Sequence, residues 1–186
     1  MLVSAAALMR ERGAAGVTID AVLNRSGAPR GSVYHHFPGG RTQLLGEALR
    51  FAGAAITARI DAASGRGALP LVREFVDFWE QVLSDSDFTA GCPVVAAAIG
   101  SAQDDPPLTD VAGDIFIRWR SAQAKAFTAD GFSQAEADSL ANMCISAMEG
   151  AVVLCRSTRS FQPLHDVANQ VEFLIKARDF VRRTEA

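Results

Sequence analysis

Gly27-Ala28-Pro29-Arg30-Gly31-Ser32-Val33-Tyr34-His35-His36-Phe37 is the stretch whose reading decides the fold. Gly27 supplies a tight turn, because it takes a positive φ without a Cβ clash. Pro29 sits where a helix can begin, with φ preset and no amide proton to strand. At 3.6 residues per turn, Pro29, Val33 and Phe37 share one side and pack inward. The other side carries Gly31 and His35, flanked by Ser32 and Tyr34, with Arg30 at the leading end. That outer face offers donors for phosphates and base edges, and Gly31 lets the backbone come close. Just upstream, Thr18-Ile19-Asp20-Ala21-Val22-Leu23 reads as another short helix with Thr18 as its N-cap. Two short helices joined at Gly27 make a helix-turn-helix, whose second helix enters a DNA major groove.

Continued through Pro38-Gly39-Gly40-Arg41, the stretch resembles the TetR/AcrR family of ligand-responsive bacterial transcriptional regulators. The family's order of glycine, spacer, glycine, small polar residue, aliphatic residue, tyrosine, any residue, histidine and phenylalanine is present without a gap. The resemblance implies that Tyr34 meets a phosphate and that His35 meets a base edge or a phosphate. Arg30 and Ser32 are the expected base readers, since arginine can bond guanine at two atoms. Arg41 stands where the family usually keeps a lysine for a phosphate, and arginine keeps that charge. Thr18, at the start of the first helix of the pair, joins this DNA-binding set. His36 reads instead as structural, leaning to the inner face at a helix end where positive charge is favoured. Leu23 occupies a position where the family commonly has a small alanine. Family members usually carry several more residues, often basic, before the first helix. Here the sequence begins inside it, so the arm is either lost or encoded upstream.

Size and charge fit that reading. A chain of 186 residues can bury a substantial core. Net charge is −3, which argues against a generally basic nucleic-acid coat. The charge is unevenly spread, with a net of +3 over residues 1–50 and −6 over residues 51–186. A small basic head on an acidic body suits a protein that touches DNA at one end only, although ordinary surface variation also produces such a split. No run of eighteen apolar residues or basic-headed leader is apparent, so neither a membrane span nor a signal peptide is expected. The three cysteines, Cys92, Cys144 and Cys155, have no metal-ligand spacing and read as reduced thiols of a cytoplasmic protein. No cofactor or metal is expected.

Along the rest of the chain, helical periodicity predicts an all-α protein of about nine helices without a convincing strand. Leu2–Arg12 is the first, stopped by Gly13. Arg41–Ala63 is a long helix with Leu44, Leu45, Ala48, Ala52, Ala55 and Ile56 as its stripe, and in the family this helix connects body to head. The next, about Leu69–Ser84, carries Val72, Phe75, Trp79 and Leu83 on one face with Phe78 off it. Gly91-Cys92-Pro93 and the aliphatic run after it resemble the subgroup with an LmrA/YxaF-like C-terminal domain. Gln103–Pro107 reads as a break before a helix through about Ala129. Ser133 and Glu136 fit a capping box at the start of a helix to about Arg156, and Pro163–Arg183 closes the chain. The expected division is a helix-turn-helix DNA-binding domain at 1–47 and a helical effector-binding and dimerisation domain at 48–186.

The resemblance also implies what the body does. Its last two long helices pair with those of a second subunit in a four-helix interface, for which Leu140, Ala147, Ala151, Val167, Val171 and Leu174 are the expected contacts. Phe75, Phe78, Trp79, Phe116, Trp119 and Met143 are candidate lining for an effector pocket, though packed core is the plainer reading for most of them. The subgroup implies small apolar, multi-ring effectors such as flavonoids or antibiotics. A homodimer on a palindromic double-stranded DNA operator, released by such an effector, is the expected repressor. Enzyme motifs are missing: no Gly-x-Ser-x-Gly, no phosphate-cradling glycine loop and no paired-histidine zinc motif, while Asp104-Asp105 reads as a solvated pair. The rival is a helical ligand-binding protein with weak or lost operator binding, or a thiol sensor built on Cys92 at a helix start.

Overall fold

The computed structural model describes residues 1–100 and 108–185, the side chains of 182, 183 and 185 excepted. Among the described residues there are nine α-helices and no strand. They are α1 (Leu2–Arg12), α2 (Ile19–Ser26), α3 (Arg30–His36), α4 (Gly40–Ser64), α5 (Ala68–Asp85), α6 (Pro93–Ile99), α7 (Leu108–Ala129), α8 (Gln134–Thr158) and α9 (Gln162–Glu185). The all-α expectation therefore holds, and each helix lies within a residue or two of where periodicity placed it. The expected break at Gln103–Pro107, with Asp104-Asp105 inside it, lies outside the described residues.

The chain forms two compact units, Met1–Ile56 with Thr89–Phe116, and Thr57–Phe88 with Ile117–Ala186. In the first, α1 packs on α2 and α6, and α2 on α3. Its core includes Leu8, Met9, Val17, Val22, Val33, Phe37, Leu44 and Leu45, all buried. The Gly91 amide donates to the Arg10 carbonyl at 2.9 Å, which ties the approach to α6 onto the end of α1. Gly53 of α4 permits a close approach to α7, because a Cβ there would stand 2.5 Å from Ile115 Cδ1.

The second unit is built on α8 and α9, with α5 packed on both. Trp79, Leu83, Trp119, Phe127, Cys155 and Leu164 are fully buried in it. The Trp119 indole N–H donates to Thr57 Oγ1 at 2.9 Å, which satisfies a donor that burial would otherwise strand. Ser133 and Glu136 do form a capping box: the Ser133 amide donates to the Glu136 carboxylate at 2.9 Å, and the Glu136 amide to Ser133 Oγ at 3.4 Å. By length and composition alone α8 would pass for a membrane span. Its buried positions, among them Ala137, Ala141, Cys144, Met148 and Val152, are those of a helix packed against α9 and α5.

Candidate nucleic-acid interface

Local rules put α3 where it is. Thr18 takes an extended conformation and its side chain accepts from the Ala21 amide at 3.1 Å, which starts α2. Gly27 ends α2 in the left-handed region, at φ 67°, and its amide donates to the Leu23 carbonyl. Pro29 then caps α3 from an extended conformation and is itself exposed, so it does not pack inward with Val33 and Phe37 as expected. Val33 and Phe37 are buried beneath α3, which leaves Arg30, Gly31, Tyr34, His35 and His36 exposed. One buried side therefore fixes the register of the other.

Residue by residue, the face is uneven. Tyr34 is 62% exposed. Gly31 is exposed, and a Cβ built on it would meet nothing within 4 Å. Ser32 is half-buried and its hydroxyl donates to the Pro29 carbonyl at 2.6 Å, so part of its bonding capacity serves the first turn of α3. His35 stands edge-on to His36, ring centroids 5.1 Å apart. His36 does not lean inward as expected, since it is exposed beside its neighbour.

Arg41, the expected phosphate contact, has backbone partners within its own unit. Its Nε donates to the Val17 carbonyl at 2.7 Å and its Nη2 to the Ala14 carbonyl at 2.9 Å. The first turn of α4 is thus stapled to the α1–α2 connection that leads into Thr18. Two ion pairs that no sequence spacing announces brace the same helices. Arg25 donates to Glu11 at 2.7 Å and locks α2 to α1, and the same bond holds the Glu11 carboxyl below the ordinary carboxylate range. Arg30 Nη2 donates to Asp20 Oδ1 at 2.6 Å, joining the leading ends of α2 and α3. An open cleft of about 610 Å³ lies alongside, lined by Asp20, Leu23, Asn24, Gly27, Ala28 and Arg30.

The expected effector residues are only partly brought together. Trp79 is fully buried, 6.0 Å from the Phe75 ring and 5.0 Å from the Phe78 ring between centroids. The Arg59 guanidinium lies 4.9 Å from the centre of the Phe78 ring, a cation–π arrangement. The Trp79 indole N–H is buried with no acceptor among the described residues. Trp119 is held by Thr57, as above, and Phe116 is half-buried in the other unit. Met143 is 37% exposed on α8. A cleft of about 250 Å³ in this unit is lined by Leu69, Ala129, Asp130, Ile175, Lys176 and Asp179, and by none of the six.

Of the expected dimer contacts, Leu140, Ala147 and Val167 are half-buried and Leu174 is exposed. Ala151 and Val171 are already buried within the protomer, so little of either is left for a partner. Val153, Leu154, Phe173, Phe180 and Val181, none of them among the expected contacts, are large, apolar and exposed on α8 or α9. All three cysteines are buried, and none of them is in a disulfide. Burial pushes the Cys144 thiol up to about 12 and raises Cys155 as well.

Residues 1–48 match the pattern of the family described as bacterial regulatory proteins, tetR family. Residues 68–170 match that of the transcriptional regulator LmrA/YxaF-like C-terminal domain. The chain is 44% identical over 182 residues to the HTH-type transcriptional regulator Rv0196 of Mycobacterium tuberculosis, covering 95% of this chain and 93% of that one. It is 26% identical over 180 residues to the HTH-type transcriptional regulator YxaF of Bacillus subtilis, covering 96% and 94%. A TetR transcriptional regulator from Legionella pneumophila has the same fold, with a TM-score of 0.80 at 19% identity, covering 93% of this chain and 94% of that one.

Proposed function

The chain belongs to the TetR family of DNA-binding transcriptional regulators, and on that premise we propose that it is a repressor that binds a palindromic operator as a homodimer and leaves it when a small apolar, multi-ring effector binds. The observation that carries the reading is the outer face of α3. Exposed Arg30, Gly31, Tyr34 and His35 stand on a helix whose register Val33 and Phe37 fix from below. Arg30 reads a base edge, Tyr34 a phosphate, and His35 either, while Ser32 and Thr18 support the helix starts from which they point. Arg41 supports binding indirectly, by holding the turn before Thr18.

The working division is a reading head at 1–47 and a regulatory, dimerising body at 48–186, acting in the cytoplasm. The exposed apolar side chains of α8 and α9 support pairing with a second copy, which presents two α3 helices one DNA turn apart, roughly 34–36 Å. Phe75, Phe78 and Trp79 support an effector site of aromatic character, and the unpartnered Trp79 N–H favours a ligand that carries an acceptor. An effector that prefers the released arrangement a hundredfold biases the equilibrium by about 2.7 kcal/mol. The buried thiols give the thiol-sensing alternative no support.

Fluorescence anisotropy on DNA from upstream of the protein's own gene, with a scrambled competitor, tests the reading. Specific binding with Kd near 10⁻⁸ M is expected. Equal, micromolar, strongly salt-dependent binding to both duplexes on every upstream and intergenic fragment tried would refute operator recognition.

A further inference from the structure

We infer that Asp20 is a specificity-determining residue of the DNA-reading face, one that acts by positioning Arg30. The inference rests on the reading of α3 as the helix that enters the major groove. Arg30 opens α3 with a side chain 77% exposed, so no packed neighbour fixes its rotamer. The Asp20 carboxylate reaches it across the Gly27 turn, ten residues back in the chain, at 2.6 Å. That bond uses one donor of a planar fork of five. The rest of the plane remains available for the parallel pair of N–H bonds that guanine O6 and N7 accept.

Two features of the site make the carboxylate matter for selectivity. The neighbouring cleft of about 610 Å³ leaves the guanidinium room to swing elsewhere once Asp20 lets go. Phosphates are the default destination for a loose arginine, and a phosphate contact carries no sequence information. Asp20 opposes that default because its own charge, 64% exposed, repels the phosphate backbone. In free protein an exposed pair of this kind is weak. Docking on DNA displaces the water around it, and the bond then orders the arginine when ordering counts. A carboxylate in the first turn of α2 also suits the helix dipole, but that role affects stability and leaves base choice untouched.

The test uses the full chain and a random-sequence duplex library, selected at fixed salt and read by sequencing. Wild type, Asp20→Asn, Arg30→Ala, the double variant and Asp20→Glu are compared, with thermal melting to confirm folding. Wild type is expected to select a motif with one guanine position per half-site that Arg30→Ala loses. Asp20→Asn should blur that same position, reducing discrimination there at least about fivefold, the lower end for a bidentate arginine–guanine pair. Its affinity for scrambled DNA should rise, since a negative charge is gone. In the Arg30→Ala background the Asp20 change should no longer alter base preference, and Asp20→Glu should retain the guanine. An unaltered motif in Asp20→Asn overturns the inference, as does blurring at positions that Arg30→Ala leaves intact. A wild-type protein that selects no motif at all overturns the DNA reading itself, which is a separate and visible failure.

Discussion

Replacing Gly31 by alanine should move stability and DNA affinity in opposite directions. Gly31 is the second residue of α3, its backbone is helical, and an added Cβ meets nothing within 4 Å. In free protein the substitution therefore costs no clash. It gains from the better helix propensity of alanine and from a less flexible unfolded chain, together about 0.5–1 kcal/mol. For a chain of this size that is roughly 1–4 °C in Tm. The empty space around the position is the space that DNA must fill if α3 enters the groove with Gly31 toward it. A methyl group there meets the duplex, and the cost of overpacking a close contact, about 1–3 kcal/mol, corresponds to a loss of roughly 5- to 150-fold in affinity. Differential scanning fluorimetry and anisotropy on the same preparation read both quantities. An unchanged Kd with a raised Tm would refute the close approach of α3 at Gly31, and a lowered Tm would contradict the open geometry.

Arg41→Ala should lower Tm by roughly 4–10 °C, since about 2–3 kcal/mol of charge-assisted bonding to the Ala14 and Val17 carbonyls is lost. Its binding should keep the wild-type salt slope, and a slope smaller by about 0.9 would return Arg41 to a phosphate. Phe180→Asp and Phe173→Asp change side chains 68% and 65% exposed, so each variant should fold yet sediment as a monomer; persistence of a dimer in both would place the subunit contact elsewhere. The Glu11–Arg25 bond holds the Glu11 pKa below its ordinary 4.5 in the folded chain. Its contribution is therefore fully present above that value and lost as pH falls below it. Because the pair is partly exposed, the contribution is about 0.5–1 kcal/mol. The Tm difference between wild type and Glu11→Gln should accordingly shrink from pH 6 to pH 3, and a constant difference would sink this assignment. Native protein at pH 8 should react with iodoacetamide far more slowly than unfolded protein at Cys144 and Cys155, whose thiols burial raises; rapid native labelling would reopen thiol sensing.

What the sequence made legible was local. Gly27, Pro29, Val33 and Phe37 fix α3 and its outer face through turn chemistry and one helical period, and the Ser133–Glu136 box marks the start of α8 within four residues. What it hid depends on partners distant in sequence. Arg41 turns inward because two backbone carbonyls accept from it, and carbonyls leave no trace in a residue pattern. Gly53 looks like any helical glycine until Ile115, sixty-two residues later, is found against it. Asp20 and Arg30 sit on different helices, so no single-helix spacing pairs them. On α8 and α9 an apolar stripe is visible, but periodicity does not say which part of it the protomer itself covers. Ala151 and Val171, on that stripe, are buried within the protomer, whereas Phe173 and Phe180 are exposed.

The central claim is that two copies of this chain place two α3 helices in successive major grooves of one duplex. Hydroxyl-radical footprinting of the protein on its selected duplex tests it most directly. Two protected patches are expected on one face of the DNA, their centres about one helical turn apart and related by a palindrome. A single patch, or protection spread evenly along the duplex, would contradict it.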